Sequence, residues 1–424
     1  MNYKHIFCII GLLSFHKLII AQQGKDKLSV KKSESLCYAQ QEIIHSKILN
    51  EERKVNIFLP EGFYTESSQH TYPVLILLED EFFHMVSGVV KHLSSVERIP
   101  ETIVVSIIEM SYIPTVYTNG STFWPTKQLS DENPKPFTEY LKNELFPYLE
   151  KNYRANDFSM VMGLSPTSIY ALHSFIKEPD LFDAHIAIAA GDILGMGYKE
   201  GERFIELFED KLKNDSKRKR YLYVTSSDAD GGGNSPEIQE NLEELERKLT
   251  PYISDNFKFI SKIFPNEGHY DVALPAFIEA LEMIFPKEKW SARYRDIIKE
   301  EGNAMENIDN YFKTLSTEYG FKILPKAERW NSVNRLSWIG PNLLKQGNTI
   351  EAIEVIERWV EYSPESELAL KELAKAYEAN GRLDEALSIL RKAHQLSLEL
   401  KTEQLDKYES QINQLERKIA KKKN

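Results

Sequence analysis

The chain has 424 residues, of which 42% are hydrophobic and 28% are charged, and this composition excludes a disordered or collagen-like chain. Its length leaves room for two or three domains. The net charge of −11 at pH 7 argues against nucleic acid as the main partner, because phosphate binding requires concentrated lysine and arginine.

The N-terminal segment, residues 1–21, has the pattern of a signal peptide. A basic start precedes an apolar run at 6–15, and Ala21 provides a small residue at the cleavage point. The alternative is a frayed N-terminal segment. No other stretch is long and apolar enough for a transmembrane helix. From the signal peptide alone we expect an exported protein, periplasmic or secreted. Residues 22–44 are then an N-terminal extension, in which Cys37 cannot form an internal disulfide.

Residues 45–290 alternate between short β-rich runs and amphipathic helical stretches. This alternation predicts an α/β fold, with a mostly parallel sheet covered by helices on both faces. The predicted strands are 55–59, 72–78, 102–107, 158–162, 185–190, 221–224 and 257–263, and the clearest predicted helices are 136–151 and 274–284.

Beyond residue 290 the strand pattern stops. Residues 291–331 are polar, charged and helical, which predicts a connector, and residues 400–424 predict a final polar helix. Between them, residues 332–399 predict an all-α tetratricopeptide (TPR) array.

The array is identified by its period. Gly347 and Gly381 are 34 residues apart, as are Ala352 and Ala386, and 34 residues is the length of one helix–turn–helix TPR unit. Such a unit cannot bury its own apolar face, so a neighbouring element must cover the stack. The tryptophans of this region are expected in its core: Trp330, Trp338 and Trp359.

A sharp turn between strand and helix marks the candidate nucleophile. Gly163, Ser165 and Thr167 follow the strand at 158–162 and precede a helical stretch, which is the context of the G-x-S-x-G nucleophile elbow. Thr167 stands where the second glycine is usual. The alternative is that Ser165 is an ordinary helix N-cap.

A serine hydroxyl needs a base and an acid to become a nucleophile. His269 follows the last predicted strand and is the expected base. Asp228 follows the strand at 221–224 and is the expected acid, with Asp230 as the other candidate. The chain order Ser165, Asp228, His269 is that of α/β-hydrolases.

The sequence resembles the putative-esterase family that includes esterase D and enterochelin-esterase-like hydrolases, over about residues 45–286. The stretches that carry the resemblance are SKILNEERKVNIFLPEGF, YPVLILLEDE, FTEYLKNELFPYLEKNYRANDFSMVMGLS and FPNEGHYDVALPAF. Members with C-terminal TPR arrays occur. The resemblance implies an α/β-hydrolase fold and hydrolysis of small or siderophore-like carboxylic esters, with Ser165, His269 and Asp228 as the triad.

The predicted oxyanion hole departs from the family pattern. Family members read G-H-S-x-G-G at the elbow, but Pro166 follows the nucleophile here and has no N–H to donate. Asp80 and Glu81 occupy the other oxyanion segment. Losing one oxyanion donor costs about 10²–10³ in rate. The competing hypothesis is therefore a catalytically impaired hydrolase-fold binding protein, whose TPR surface recruits a protein or peptide.

No metal site and no cofactor are expected, because the remaining histidines show no ligand spacing: His45, His70, His92, His173 and His185. The expected partners are a small ester substrate and, at the TPR array, a protein or peptide.

Overall fold

The computed structural model describes residues 37–108, 129–213, 219–230, 236–290, 293–328, 335–402 and 405–423. The predicted signal peptide at 1–21 and Trp330 lie outside these residues. Within them, no helix is long and apolar enough to cross a membrane.

The described part of the chain forms an eight-stranded sheet in the order β1-β2-β4-β3-β5-β6-β7-β8. The pairs β1–β2 and β2–β4 are antiparallel. The remaining pairs, from β4–β3 to β7–β8, are parallel. This arrangement confirms the predicted α/β fold. The strands are β1 Gln40–Ser46, β2 Glu51–Phe58, β3 Tyr72–Leu77, β4 Ile103–Ile107, β5 Ala155–Leu164, β6 Ala184–Ile188, β7 Arg220–Ser227 and β8 Phe257–Phe264.

Strand β1 was not predicted, and it begins inside the segment that the sequence assigned to the N-terminal extension. It is an edge strand that pairs only with β2, and most of its side chains are exposed or half-buried. Without a buried face, a strand carries no hydrophobic alternation to reveal it.

The central strands divide the hydrophobic interior into two layers. All six residues of β3 are buried. Leu75 and Leu77 contribute to one apolar cluster, and Val74 and Ile76 contribute to the other. This division follows from the two-residue period of a strand, which sends alternate side chains to opposite faces.

Helices cover both faces of the sheet. One face carries α1 Phe83–Ser95 and α7 Ala273–Ile284; the other carries α2 Lys135–Tyr140, α3 Phe146–Tyr153, α4 Ser168–Lys177, α5 Phe204–Lys213 and α6 Pro236–Leu249.

The single helix predicted over 136–151 is interrupted by a π-helical turn, Leu141–Leu145. Pro147 lies in the first turn of α3. Because proline has no N–H, it cannot bond to the carbonyl four residues earlier, and a π-bulge is one way to accommodate that loss.

The segment predicted as a connector is an integral part of the core. Phe285 at the end of α7 and Tyr319 are in ring contact, with centroids 5.3 Å apart. The Tyr319 hydroxyl accepts a bond from Trp290 Nε1 (3.1 Å) and donates to the Ile284 carbonyl (2.9 Å). Phe321 contacts Phe158 of β5, with centroids 5.3 Å apart. One apolar cluster therefore runs from the sheet into the C-terminal helices.

The C-terminal helices are α8 Lys287–Trp290, α9 Tyr294–Ile297, α10 Ala304–Tyr319, α11 Leu336–Lys345, α12 Thr349–Tyr362, α13 Glu367–Ala379, α14 Leu383–Leu400 and α15 Leu405–Lys423. Gly347 and Gly381 occupy equivalent turns, after α11 and α13, with φ of 86° and 79°. These left-handed conformations favour glycine, which explains its recurrence at the 34-residue period. Trp359 is fully buried and Trp338 is partly buried, as expected of repeat core.

Candidate active site

The turn after β5 has the geometry of a strained elbow. Ser165 has φ of +55°, a left-handed conformation that is costly for a non-glycine residue and is concentrated at functional sites. Gly163 allows the chain to turn this tightly, because the Cβ of any other residue at this position would lie 2.4 Å from the Thr167 carbonyl oxygen. A short 3₁₀ turn, Ser165–Thr167, then leads into α4.

Thr167, in place of the usual second glycine, fastens this turn. Its Oγ1 accepts a hydrogen bond from the Leu164 N–H (2.7 Å) and donates to the Leu164 carbonyl (3.0 Å). The next residue, Ser168, donates from Oγ to the Ile188 carbonyl at the end of β6 (2.7 Å). The substitution of threonine therefore preserves the elbow by side-chain hydrogen bonds.

His269 lies in the loop between β8 and α7 and is paired with Asp230. The ring Nδ1 of His269 and the Asp230 carboxylate share a short hydrogen bond. Asp230 is buried, and its second oxygen accepts from the Ser227 N–H (2.9 Å). An ionised carboxylate held in this way fixes the imidazole tautomer, with Nε2 left as the proton acceptor.

The expected pairing of His269 with Asp228 is wrong. Asp228 is exposed, and its carboxylate accepts a bond from the Asn266 N–H (2.8 Å). The chain turns immediately after β7, so that a shift of two residues moves the carboxylate from the exposed side of the turn to the buried side. Asp228 instead ties down the loop that carries His269.

The electrostatics of the pair agree with this geometry. The hydrogen bond that His269 donates to Asp230 raises the pKa of His269 above its ordinary value, although burial opposes protonation. Burial disfavours ionisation of Asp230, but the bonds from His269 and the Ser227 N–H outweigh it and lower the pKa of that carboxyl. The two groups therefore stabilise each other's charged forms.

Asp192 is a third acidic group at the site, and sequence reasoning missed it. It follows β6, is half-buried, and its charge contributes to the raised pKa of His269. Burial and the nearby Asp230 raise the pKa of Asp192 itself, despite bonds from backbone N–H groups. The sequence signal that could have identified Asp192 is its position just beyond the carboxyl end of a parallel strand, where ligands bind in such sheets.

The acidic side chains of the segment after β3 are placed to repel an oxyanion less than their sequence positions suggest. The Asp80 carboxylate accepts bonds from Asn56 Nδ2 on β2 (2.9 Å) and Ser106 Oγ on β4 (2.6 Å). Because β4 and β2 lie on the side of β3 opposite β5, these bonds draw the carboxylate away from Ser165. Glu81 is exposed.

Glu79 is the acidic residue nearest to the elbow in the sheet register. The Leu78 N–H bonds to the Met162 carbonyl (2.9 Å), so Glu79 lies beside the end of β5. Burial, together with the charges of Glu81 and Asp80, raises the pKa of Glu79 to about 7. A large fraction of this side chain is therefore neutral at pH 7.

The structure brings Ser165, His269, Asp230 and Asp192 to one edge of the sheet, at the carboxyl ends of β5 to β8. Ser165 is buried, and its hydroxyl makes no hydrogen bond to any residue that the structure describes. Within the same residues, no cluster of three or more His, Cys, Asp or Glu side chains is placed to hold a metal ion.

Two family models match the sequence. The model described as "Putative esterase" matches residues 46–257, half of the chain, and the tetratricopeptide repeat model matches residues 343–394. The resemblance drawn from the sequence is therefore confirmed. No curated protein sequence matches the chain.

Solved structures share the fold at low sequence identity. An IroE-like serine hydrolase from Shewanella oneidensis is 21% identical, covers 75% of this chain and 97% of its own, and has a TM-score of 0.56. An uncharacterised protein from Capnocytophaga ochracea is 17% identical, with coverage of 89% and 99% and a TM-score of 0.52. The siderophore hydrolase EstA from Aspergillus nidulans is 12% identical, with coverage of 61% and 98% and a TM-score of 0.50.

Proposed function

Since the chain belongs to the "Putative esterase" family, we propose that it hydrolyses carboxylic esters through an acyl-enzyme intermediate on Ser165. One observation carries the proposal. Ser165, whose backbone has a left-handed conformation at a strand-to-helix elbow, lies at the same sheet edge as the hydrogen-bonded His269–Asp230 pair. Strain of this kind persists only where the surrounding structure enforces it.

The chemistry follows from the atoms available. Ser165 Oγ attacks the ester carbonyl carbon, and His269 Nε2 takes the hydroxyl proton. Asp230 stabilises the imidazolium, which then protonates the departing alkoxide to release the alcohol. Water, activated by the same imidazole, hydrolyses the acyl-serine and releases the acid. Although apo Ser165 lacks a bond to His269, such catalytic bonds often tighten only when substrate binds.

The tetrahedral oxyanion needs N–H donors, and we assign them to the segment after β3. The 3₁₀ turn Asp80–Phe82 begins beside the elbow, and the first N–H groups of a helical turn have no partner within it. The N–H groups of Asp80 and Glu81 are the proposed donors. Pro166 provides none, so that we expect a slower enzyme than one with both donors.

The proposal is tested with p-nitrophenyl acetate and butyrate, comparing the full chain with Ser165→Ala. We expect the rate of the variant to fall to the uncatalysed background. A fluorophosphonate probe should label Ser165 in the folded protein and not after heat unfolding. Equal rates for the two proteins would refute the proposal.

A second candidate is the impaired, hydrolase-fold binding protein, and Pro166 is the observation that favours it. This alternative predicts a correctly folded protein that neither turns over esters nor reacts with the fluorophosphonate. The helical array would then recruit a protein or peptide. This partner should co-purify with the full chain but not with variants of the α13 surface.

Substrate class and cellular location are part of the proposal. EstA is named a siderophore hydrolase, which motivates assays on siderophore-like esters beside the simple esters above. Export through residues 1–21 predicts a mature protein that begins at Gln22, which mass spectrometry of the native protein would detect. A mature chain that retains Met1 would contradict export by cleavage.

A further inference from the structure

A cavity of about 60 Å³ lies between the sheet and residues 290–326, the segment that leads to the repeats. On the sheet side it is lined by Tyr72, the first residue of β3, and by Pro100 and Glu101, just before β4. These residues mark the amino ends of the two strands, whereas Ser165 lies at the carboxyl end of β5. The cavity is therefore at the opposite edge of the sheet from the candidate active site.

Most of the cavity wall is apolar. Its buried side chains belong to the apolar cluster that the sheet shares with the C-terminal helices: Ile99, Tyr294, Phe312, Leu315, Phe321 and Ile323. An apolar cavity of about 150 Å³ can hold benzene, so the smaller space here suits a short alkyl group.

A buried carboxylate lines this apolar space. The side chain of Glu66 is only 7% exposed, and no residue that the structure describes makes a hydrogen bond to its Oε2. The carboxyl group lies against Gly62, where a Cβ would come within 2.4 Å of the Glu66 carboxyl carbon. Burying a carboxylate oxygen without a hydrogen bond is costly, so the position favours a ligand that donates one.

His70 places a second acceptor beside Glu66. The His70 Nδ1 is 3.4 Å from the Ser67 carbonyl oxygen, and because a carbonyl can only accept, Nδ1 carries the proton. Burial lowers the pKa of His70, so the ring is neutral at pH 7 and its Nε2 is an acceptor. Nε2 and Glu66 Oε2 are 3.9 Å apart, too far for a direct hydrogen bond. One nitrogen atom can lie about 2.8 Å from both and donate an N–H to each.

The charges around the cavity favour a cation over an anion. Among the described residues that line it, acidic side chains outnumber lysines by three to two: Glu66, Glu97 and Glu101 against Lys322 and Lys326. The Lys326 ammonium donates to the Ser94 carbonyl, and that of Lys322 donates to Gln69 Oε1. An anionic ligand would therefore meet more like charge than opposite charge.

We propose that this cavity binds a primary ammonium group on a short alkyl chain. The nitrogen lies between Glu66 Oε2 and His70 Nε2, and the chain packs against the apolar wall. A free alkylamine and the lysine side chain of a peptide both present this group. The assignment does not depend on ester hydrolysis, because none of its residues belongs to the candidate active site.

The test titrates the full chain at pH 7 with n-butylamine, and with 1-butanol and butyrate as its neutral and anionic counterparts. Saturation-transfer NMR gives the Kd of each. We expect n-butylamine to bind at least about tenfold more tightly than the other two, because only the ammonium forms a charged hydrogen bond with Glu66. Equal binding of 1-butanol, or tighter binding of butyrate, would overturn the assignment.

Two variants locate the bound amine. Glu66→Gln removes the charge but keeps the shape, and it should weaken n-butylamine binding by at least about tenfold. Glu61→Gln, at an exposed residue of the same segment, is the matched control and should leave the Kd unchanged. An unchanged Kd in Glu66→Gln would show that the amine binds elsewhere. Circular dichroism checks the fold of each variant, and His70→Phe, which removes the second acceptor, provides an independent test by the same loss of affinity.

A further titration distinguishes the two sources of the ammonium group. Nα-acetyl-lysine amide presents the lysine side chain as a peptide does. If it binds more tightly than n-butylamine, the cavity is assigned to a peptide lysine; if it binds more weakly, the cavity is assigned to a free alkylamine. If neither compound binds, the proposal is refuted.

Discussion

Asp230, rather than Asp228, holds the ring of His269 through Nδ1. The two aspartates are separated by one residue on the turn after β7, yet one is buried against the imidazole and the other is exposed. The two aspartates therefore have different roles. Asp230 fixes the base, and Asp228 fastens the loop that carries it.

We predict that Asp230→Asn reduces kcat by about 10⁴, because an asparagine favours the wrong imidazole tautomer and cannot stabilise the imidazolium. Asp228→Asn is the matched control. Its side-chain oxygen can still accept from the Asn266 N–H, and we expect kcat within about threefold of the unmodified protein. Steady-state kinetics on p-nitrophenyl butyrate measures both, and the reverse order of losses would contradict the assignment.

The rate should rise with pH as His269 loses its proton, since only the neutral imidazole can act as the base. Asp230 raises the pKa of His269, so the midpoint of this rise is expected above the ordinary value of 6.5. In Asp230→Asn, the midpoint should shift to lower pH because the stabilising anion is gone. A pH profile of kcat/KM gives both midpoints. An unshifted midpoint would show that the pair does not control the base.

Glu79 is expected to slow the enzyme at higher pH. Its pKa is raised to about 7, so it becomes an anion as the pH increases through neutrality, beside the developing oxyanion. We predict a decline in kcat above pH 7 that Glu79→Gln removes, because glutamine is neutral throughout. Glu81→Gln, at an exposed position, should retain the decline.

Pro166→Ala restores an N–H directly after the nucleophile. If this group faces the oxyanion, kcat should rise by at least tenfold, since one donor is worth about 10²–10³. The loss of a proline should also lower the free energy of unfolding by about 0.4–1 kcal/mol. Ester kinetics and urea unfolding measure the two effects. A kcat that does not change would mean that this position never contacts the oxyanion.

The sheet and the C-terminal helices should unfold together, because one apolar cluster spans both. Tyr319→Phe removes a buried hydroxyl that bonds Trp290 and Ile284, and we expect it to lower the free energy of unfolding by about 1–3 kcal/mol. Circular dichroism and loss of esterase activity should give coincident urea transitions. Tyr64→Phe, at an exposed tyrosine, should be nearly neutral. Separate transitions would contradict a shared core.

Features that depend on short stretches of chain could be predicted from the sequence. The periodicity of apolar residues predicted the buried strands and amphipathic helices. The 34-residue repeat predicted the TPR array, and the residues of a single turn predicted the elbow at Ser165. Such patterns are local, because backbone geometry sets the spacing of side chains along each element.

Features that depend on packing between distant segments emerged only from the three-dimensional fold. It selected Asp230 over Asp228, added Asp192 to the site, drew the Asp80 carboxylate towards β2 and β4, and made the predicted connector part of the core. In each case the outcome is set by which face of a turn or helix meets another element. That choice depends on burial and on hydrogen bonds between residues far apart in the chain, which spacing within one segment does not encode.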